Sequence, residues 1–257
     1  MNSHGGDIWS VSRRTGLGLS EILDFSASIN PAGPSGKAGA AFAAAFDDAG
    51  IYPDPSSTEL REALSKFYSI PALNILPGNG STEFIHLIPR VFKPKRALVV
   101  EPAFSEYRAA LRLAGARTET ILLKEADGFA LDTDRLIRAI TEKRPEMVFL
   151  ANPANPTGAL TGKDALIRLA SFCEERGTVL VVDEAFADFA EEVSIKEAVG
   201  DLKKLVVLRS MTKFFAMAGL RLGFIFAEAG TIGRFLEALP PWSVNTPASR
   251  AGAAALT

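Results

Sequence analysis

Lys213 sits in the stretch SMTKFFAMAGLRLG (Ser210–Gly223), between a serine/threonine pair and two phenylalanines, with Arg221 a short step downstream. It follows LVVLRS, and at the end of an apolar strand it would point into a crevice among apolar neighbours. An ammonium there loses its proton more readily, and the amine becomes a nucleophile toward an aldehyde or ketone. Ser210 and Thr212 add hydroxyls, and Arg221 adds a fixed cationic fork suited to phosphate. Asp183, in VVDEAF, follows an apolar run, so its carboxylate is expected at a buried strand end, where it needs a cationic or hydrogen-bonding partner. A protonated ring nitrogen of a cofactor would serve, and so would the start of the following helix. NPANPTG (Asn152–Gly158) doubles an Asn-Pro step directly after a buried run, which offers side-chain amides from a stiff turn. GNGSTE (Gly78–Glu83) supplies glycines, hydroxyls and a helix start, a combination that cradles phosphate with backbone N–H groups. Phe104, in EPAFSEY, could stack on a flat ring. Each of these residues also has an ordinary structural explanation: a surface lysine, a helix cap, a plain loop, a core phenylalanine.

Such residues must be carried on a scaffold. ALVVEP (97–102), MVFLANP (147–153), VLVVDEAF (179–186), LVVLRS (205–210) and LGFIFA (222–227) are short and mostly apolar throughout, as strands covered on both faces are. Amphipathic runs separate several of them: SEYRAALRLAGA, DTDRLIRAITEK and KDALIRLASFCEERG, the last closing at Gly177. The alternation predicts a mostly parallel, doubly wound α/β sheet with its site beyond the carboxyl ends of the strands. NPAGPSGKAGAAFAAAF, near the start, is expected to be a strand end, a loop and a small-residue helix. PPWSVNTPASRAGAAALT starts a further helix that lacks a closing cap.

The 257 residues are 47% hydrophobic with a net charge of −2, enough for a substantial core and without the basic footprint of a nucleic-acid binder. Cys173 is the only cysteine, and the two histidines, His4 and His86, lie far apart, so an intrachain disulfide is excluded and a zinc site has little support. MNSHGGDIWS does not resemble a secretory signal and no apolar run reaches membrane-spanning length, so a cytoplasmic protein acting on small molecules is expected.

Taken together and in order, GNGSTE, EPAFSEY, NPANPTG, VVDEAF, SMTK and GLRLG resemble the fold-type I pyridoxal-phosphate (PLP) enzymes of the aspartate aminotransferase superfamily. The resemblance implies a three-layer α/β/α fold and the cofactor pyridoxal 5'-phosphate. It casts Lys213 as the Schiff-base lysine, Asp183 as partner of the pyridine nitrogen, Asn155 as partner of the ring oxygen and Phe104 as the stacking ring. Gly80, Ser81, Thr82, Ser210, Thr212 and Arg221 would form the phosphate end of the site. Tyr52, in IYPDP, would reach the cofactor phosphate of a second copy in a homodimer, and Phe186 stands where many relatives have tyrosine. HGG at the start, LDFSASINP, GIYPDP and PPWSVN look most like the branch of L-threonine-O-3-phosphate decarboxylases of cobalamin biosynthesis, with the histidinol-phosphate aminotransferases as the competing branch. In the former, His4, Gly5 and Gly6 would fold over the site and hold the substrate phosphate, with Asn30 and Asn155 beside the substrate. The implied reaction yields (R)-1-amino-2-propanol O-2-phosphate. A PLP-binding protein without turnover is the reading outside enzymology. The expected division is an arm and small-domain segment over 1–48, a PLP-binding large domain over 49–245, and over 246–257 the start of a connection to a C-terminal part of the small domain. Members of the family normally continue into that part, which supplies an arginine for the substrate carboxylate. It is expected to be missing here.

Overall fold

The computed structural model describes residues 5–257. Its sheet has seven strands: β1 (Ile75–Gly78), β2 (Arg96–Glu101), β3 (Arg117–Leu122), β4 (Met147–Ala151), β5 (Val179–Asp183), β6 (Leu205–Ser210) and β7 (Gly223–Ala227). They lie in the order β1-β7-β6-β5-β4-β2-β3. From β3 to β6 all pairings are parallel, while β7 is antiparallel to both β6 and β1. Nine α-helices are found among the described residues: α1 (Ile8–Thr15), α2 (Gly36–Ala44), α3 (Thr58–Tyr68), α4 (Ser81–Phe92), α5 (Glu106–Leu113), α6 (Thr133–Lys143), α7 (Lys163–Arg176), α8 (Ala229–Ala238) and α9 (Thr246–Ala255).

The continuous apolar strands are explained by two cores, one on each face of the sheet. Because strand side chains alternate, Val148, Leu150, Leu180, Val182 and Val207 join one core with α3, α6, α7 and α9. Their neighbours Phe149, Val181, Val206 and Leu208 join the other, with α4, α5 and α8. A three-layer α/β/α arrangement follows, as expected.

All five strands expected from apolar runs form, within a few residues of the expected bounds. β1 and β3 were not foreseen. ILPG carries the Pro and Gly of a turn and becomes a strand through antiparallel pairing with β7. RTETIL is a half-covered edge strand, so it lacks the apolar continuity of the centre. The strand end expected near the start does not form, since no strand precedes β1 among the described residues. That segment is held instead by single contacts, such as Asn30 N–H donating to the Lys213 carbonyl at 3.0 Å. The small-residue helix is α2, capped by Ser35, whose side chain accepts from the Ala38 N–H. α9, capped by Asn245, packs on α2 and α3, and its small residues Ala248 and Ala251 are buried in the first core. No helix among the described residues is long and apolar enough to cross a membrane.

Candidate active site

The carboxyl ends of β4, β5 and β6 open on one cavity of about 410 Å³. Lys213 lies three residues past β6, half-buried, with its ammonium 5.4 Å from the centre of the Phe186 ring. Burial lowers the pKa of its amine, with Arg221 adding to the effect and Asp183 opposing it. Asp183 ends β5 with its side chain on the α5 face. Its carboxylate accepts from the Tyr107 hydroxyl at 2.6 Å and from the Ala185 N–H at 3.0 Å. Burial raises its pKa, while Tyr107, Ala185 and Lys213 act in the other direction.

The phosphate-like end is built by close backbone approach. Ser81 and Thr82 open α4 and line the cavity with Ser210, Thr212 and Arg221. The hydroxyls of Ser210 and Thr212 are 2.7 Å apart. Gly80 has φ +78°, and a Cβ there would come within 2.6 Å of Arg221 Nη2. A Cβ on Gly223 would run into the Ser81 backbone nitrogen, so glycine is required where β7 passes the start of α4. Arg221 itself is an exposed residue with φ +56°.

Phe104 and Asn155 line the same cavity. The two Asn-Pro steps divide the work. Asn152 ties the loop to its own return, accepting from the Thr161 N–H at 2.8 Å and donating to the Thr161 carbonyl at 3.1 Å. Asn155 is left facing the cavity. Gly5 reaches the cavity wall together with Ser26, Ala27 and Ser28. Gly6 stands behind them, its N–H donating to Ser26 Oγ at 2.8 Å. Asn30 is placed behind the lysine and not in the cavity lining, because its amide is used by the backbone. Nδ2 donates to the Phe214 carbonyl at 2.9 Å and Oδ1 accepts from the Ala32 N–H at 3.0 Å. His4 lies outside the described residues. Tyr52 is not in its own chain's cavity. It is exposed and stacked on Trp242 with ring centres 4.5 Å apart.

Sequence reasoning passed over Tyr107, Ser26 and Ser28. Tyr107 is fully buried, stacks on Phe149 at 5.1 Å and is the hydroxyl partner of Asp183. Nothing local marks it, because its partner Asp183 lies 76 positions away in the chain.

A buried carboxylate, a lysine with a lowered pKa, a side-chain amide, an aromatic ring and a glycine-lined helix start converge on one cavity. That donor set fits pyridoxal phosphate: an amine for its aldehyde, an acid for its ring nitrogen and N–H and guanidinium groups for its phosphate. The fold and site are those of a PLP-dependent transferase-like α/β enzyme. Residues 20–257 match the model of the family described as aminotransferase class I and II, and the chain belongs to that family, whose cofactor is pyridoxal 5'-phosphate. Over 257 residues it is 38% identical to the threonine-phosphate decarboxylase of Salmonella typhimurium, covering 99% of this chain and 70% of that protein. It is 37% identical to the histidinol-phosphate aminotransferase of Desulfitobacterium hafniense, covering 80% of this chain and 57% of that protein. The solved histidinol-phosphate aminotransferase of Clostridium acetobutylicum superposes with a TM-score of 0.83 at 27% identity, covering 91% of this chain and 70% of that one.

Proposed function

We propose that the protein decarboxylates L-threonine O-3-phosphate to (R)-1-amino-2-propanol O-2-phosphate in cobalamin biosynthesis, as a cytoplasmic homodimer. The observation that carries this reading is the arm. Gly5, Ser26, Ala27 and Ser28 line the cavity, and the Gly6 N–H bond to Ser26 Oγ holds the arm against it; a serine- and glycine-rich wall is suited to a phosphate ester. The similarity to the Salmonella decarboxylase includes that arm, since it covers 99% of the chain.

When bound, the cofactor supplies an aldehyde that takes up the substrate amine and a ring that accepts the electron pair left by departing CO2. Lys213 is the residue that holds the aldehyde before substrate arrives. Once freed, it is the acid that returns a proton to the α-carbon, a role served by its lowered pKa. Asp183 keeps the ring nitrogen protonated, and Tyr107 keeps Asp183 in place. Asn155 bonds the ring oxygen and Phe104 covers the ring. Ser81, Thr82, Ser210 and Arg221 hold the cofactor phosphate, with Thr212 bonded to Ser210 and Gly80 leaving room for Arg221. Tyr52 of a second copy completes the phosphate site, consistent with its exposure in a single chain. Gly5 and Gly6 hold the arm over the substrate, and Asn30 acts by fixing the arm to the Lys213 loop. The proposed division places the arm in 1–48, the cofactor domain in 49–245 and the start of a connection in 246–257.

The similarity to histidinol-phosphate aminotransferases supports a second reading, transamination on the same cofactor shell. One assay separates them. The protein is given cofactor and phosphothreonine and CO2 and amine are measured, with histidinol phosphate plus 2-oxoglutarate in parallel. CO2 release independent of keto acid supports decarboxylation, and glutamate formation supports the aminotransferase. A bound chromophore with neither product means cofactor binding without turnover. A Lys213→Ala protein that kept the absorbance band of an amine-bound cofactor, without added amine, would refute the assignment of the lysine.

A further inference from the structure

Arg209 is among the largest fully buried side chains of the protein, and nothing in the proposed reaction uses it. It precedes Ser210 in β6 just as Glu184 follows Asp183 after β5. Because strand side chains alternate, Asp183 and Ser210 face the cavity side while Arg209 faces the opposite core. There its guanidinium is met by the segment that follows β5 and by α3. Nε donates to Glu184 Oε2 at 3.0 Å, and Nη2 lies 3.0 Å from the same oxygen and donates to Ser194 Oγ at 2.9 Å. Nη1 donates to Asp188 at 3.0 Å and to Glu191 at 2.9 Å. The Tyr68 ring of α3 lies 5.2 Å from the guanidinium carbon, and the Tyr68 hydroxyl donates to Asp188 at 2.6 Å.

Every carboxylate in this cluster belongs to residues 184–196. That stretch contains no α-helix and no strand, only short 3-10 turns, so few backbone bonds hold its shape. Glu184 closes it by accepting from the Ser194 hydroxyl at 2.6 Å and the Ile195 N–H at 2.9 Å. The same stretch carries Phe186, which faces the Lys213 ammonium, and Phe189, whose ring meets that of Phe214 edge-on at 5.0 Å. A buried guanidinium thus joins the strand bearing the lysine loop to the segment forming the opposite wall of the cavity.

We propose that Arg209 is a positioning residue for the cofactor site: through Glu184, Asp188 and Glu191 it holds residues 184–196 and so sets where Phe186 and Asp183 face Lys213. The inference rests on cofactor binding and not on which bond the enzyme breaks. The test is Arg209→Lys, which keeps the charge but replaces a planar five-donor fork by a point charge unable to span three carboxylates and a serine. A control, Val148→Ala, thins the same core away from the cavity. For each protein three quantities are measured: the unfolding midpoint, amide hydrogen exchange of 185–195 without cofactor, and the cofactor dissociation constant by absorbance titration. Arg209→Lys is expected to speed exchange in that segment and to weaken cofactor binding about tenfold or more, as loss of an orienting outer partner commonly does. Val148→Ala should lower the midpoint and leave the other two unchanged. Arg209→Lys binding cofactor within about twofold of the parent, with or without faster exchange, would overturn the proposal. Should Arg209→Lys fail to fold, Glu191→Gln at the half-exposed rim takes its place. The same paired change, smaller in size, is expected, and unchanged binding overturns the proposal equally. A parent protein that bound no cofactor would refute the family's chemistry in this chain and be distinguished from either result.

Discussion

Tyr107→Phe removes one oxygen from the interior and leaves the ring stacked on Phe149. What is lost is the hydroxyl that donates to Asp183 Oδ2 at 2.6 Å, in a place where both groups are buried. A hydrogen bond to a charged group contributes about 1.5–3 kcal/mol, and the bond to a neutral acid about 0.5–1.5 kcal/mol, so the cost depends on whether Asp183 is ionised. The pKa of Asp183 is already raised in the fold by burial, and Tyr107 is the first of the groups that restrain it. For an acid raised in the fold, stability from that group is fully present below the unfolded value of 3.8 and is lost as pH rises through the folded value. Deleting the hydroxyl pushes the folded value higher and deepens the loss on the alkaline side, at about 1.4 kcal/mol per pKa unit. Urea unfolding of the cofactor-free protein below pH 3.8 and at about pH 8 should therefore show a gap between parent and variant that widens with pH, by about 1 kcal/mol or more. A gap of the same size at both pH values, or a variant more stable than the parent at the higher one, would refute a charge-dependent bond between Tyr107 and Asp183.

Gly80→Ala places a Cβ at φ +78° and within 2.6 Å of Arg221 Nη2. Strain of about 1–3 kcal/mol is expected in the unfolding free energy, with weaker cofactor binding on absorbance titration as Arg221 is displaced. Burial pushes the Cys173 thiol up to about 12, so the native protein should release no thionitrobenzoate at neutral pH until denaturant is added. Ser26→Ala removes the acceptor of the Gly6 N–H and the hydroxyl that donates to Asp24 at 2.6 Å. Loosening the arm in this way should raise KM for the phosphorylated substrate about fivefold, an exposed hydrogen bond's share, with kcat nearly unchanged in steady-state assays.

How much was legible in advance follows from which interactions are local. The apolar runs of β2, β4, β5, β6 and β7 announce strands because burial on both faces requires apolar residues at every position. Lys213, Asp183, Asn155 and the GNGSTE turn stood out because their types are unusual directly after such runs, and the structure brings all of them to one cavity. β1 and β3 escaped notice because their strand character comes from a neighbour: Pro77 and Gly78 pair with β7, and RTETIL is half-exposed at the sheet edge.

By itself the sequence determined the layer order, the strand ends and the chemical types available there, because hydrophobic periodicity and backbone chemistry act over a few residues. Only the tertiary structure decided which groups meet. Tyr107 reaches Asp183 across 76 positions of chain, Ser26 takes the Gly6 N–H, Asn30 is drawn behind Lys213, and Arg209 gathers three carboxylates on the far face of the sheet. No local pattern encodes those meetings. The buried ones follow from the packing of α5 and α3 on opposite faces of one sheet, which sets Tyr107 against Asp183 and Tyr68 against Asp188.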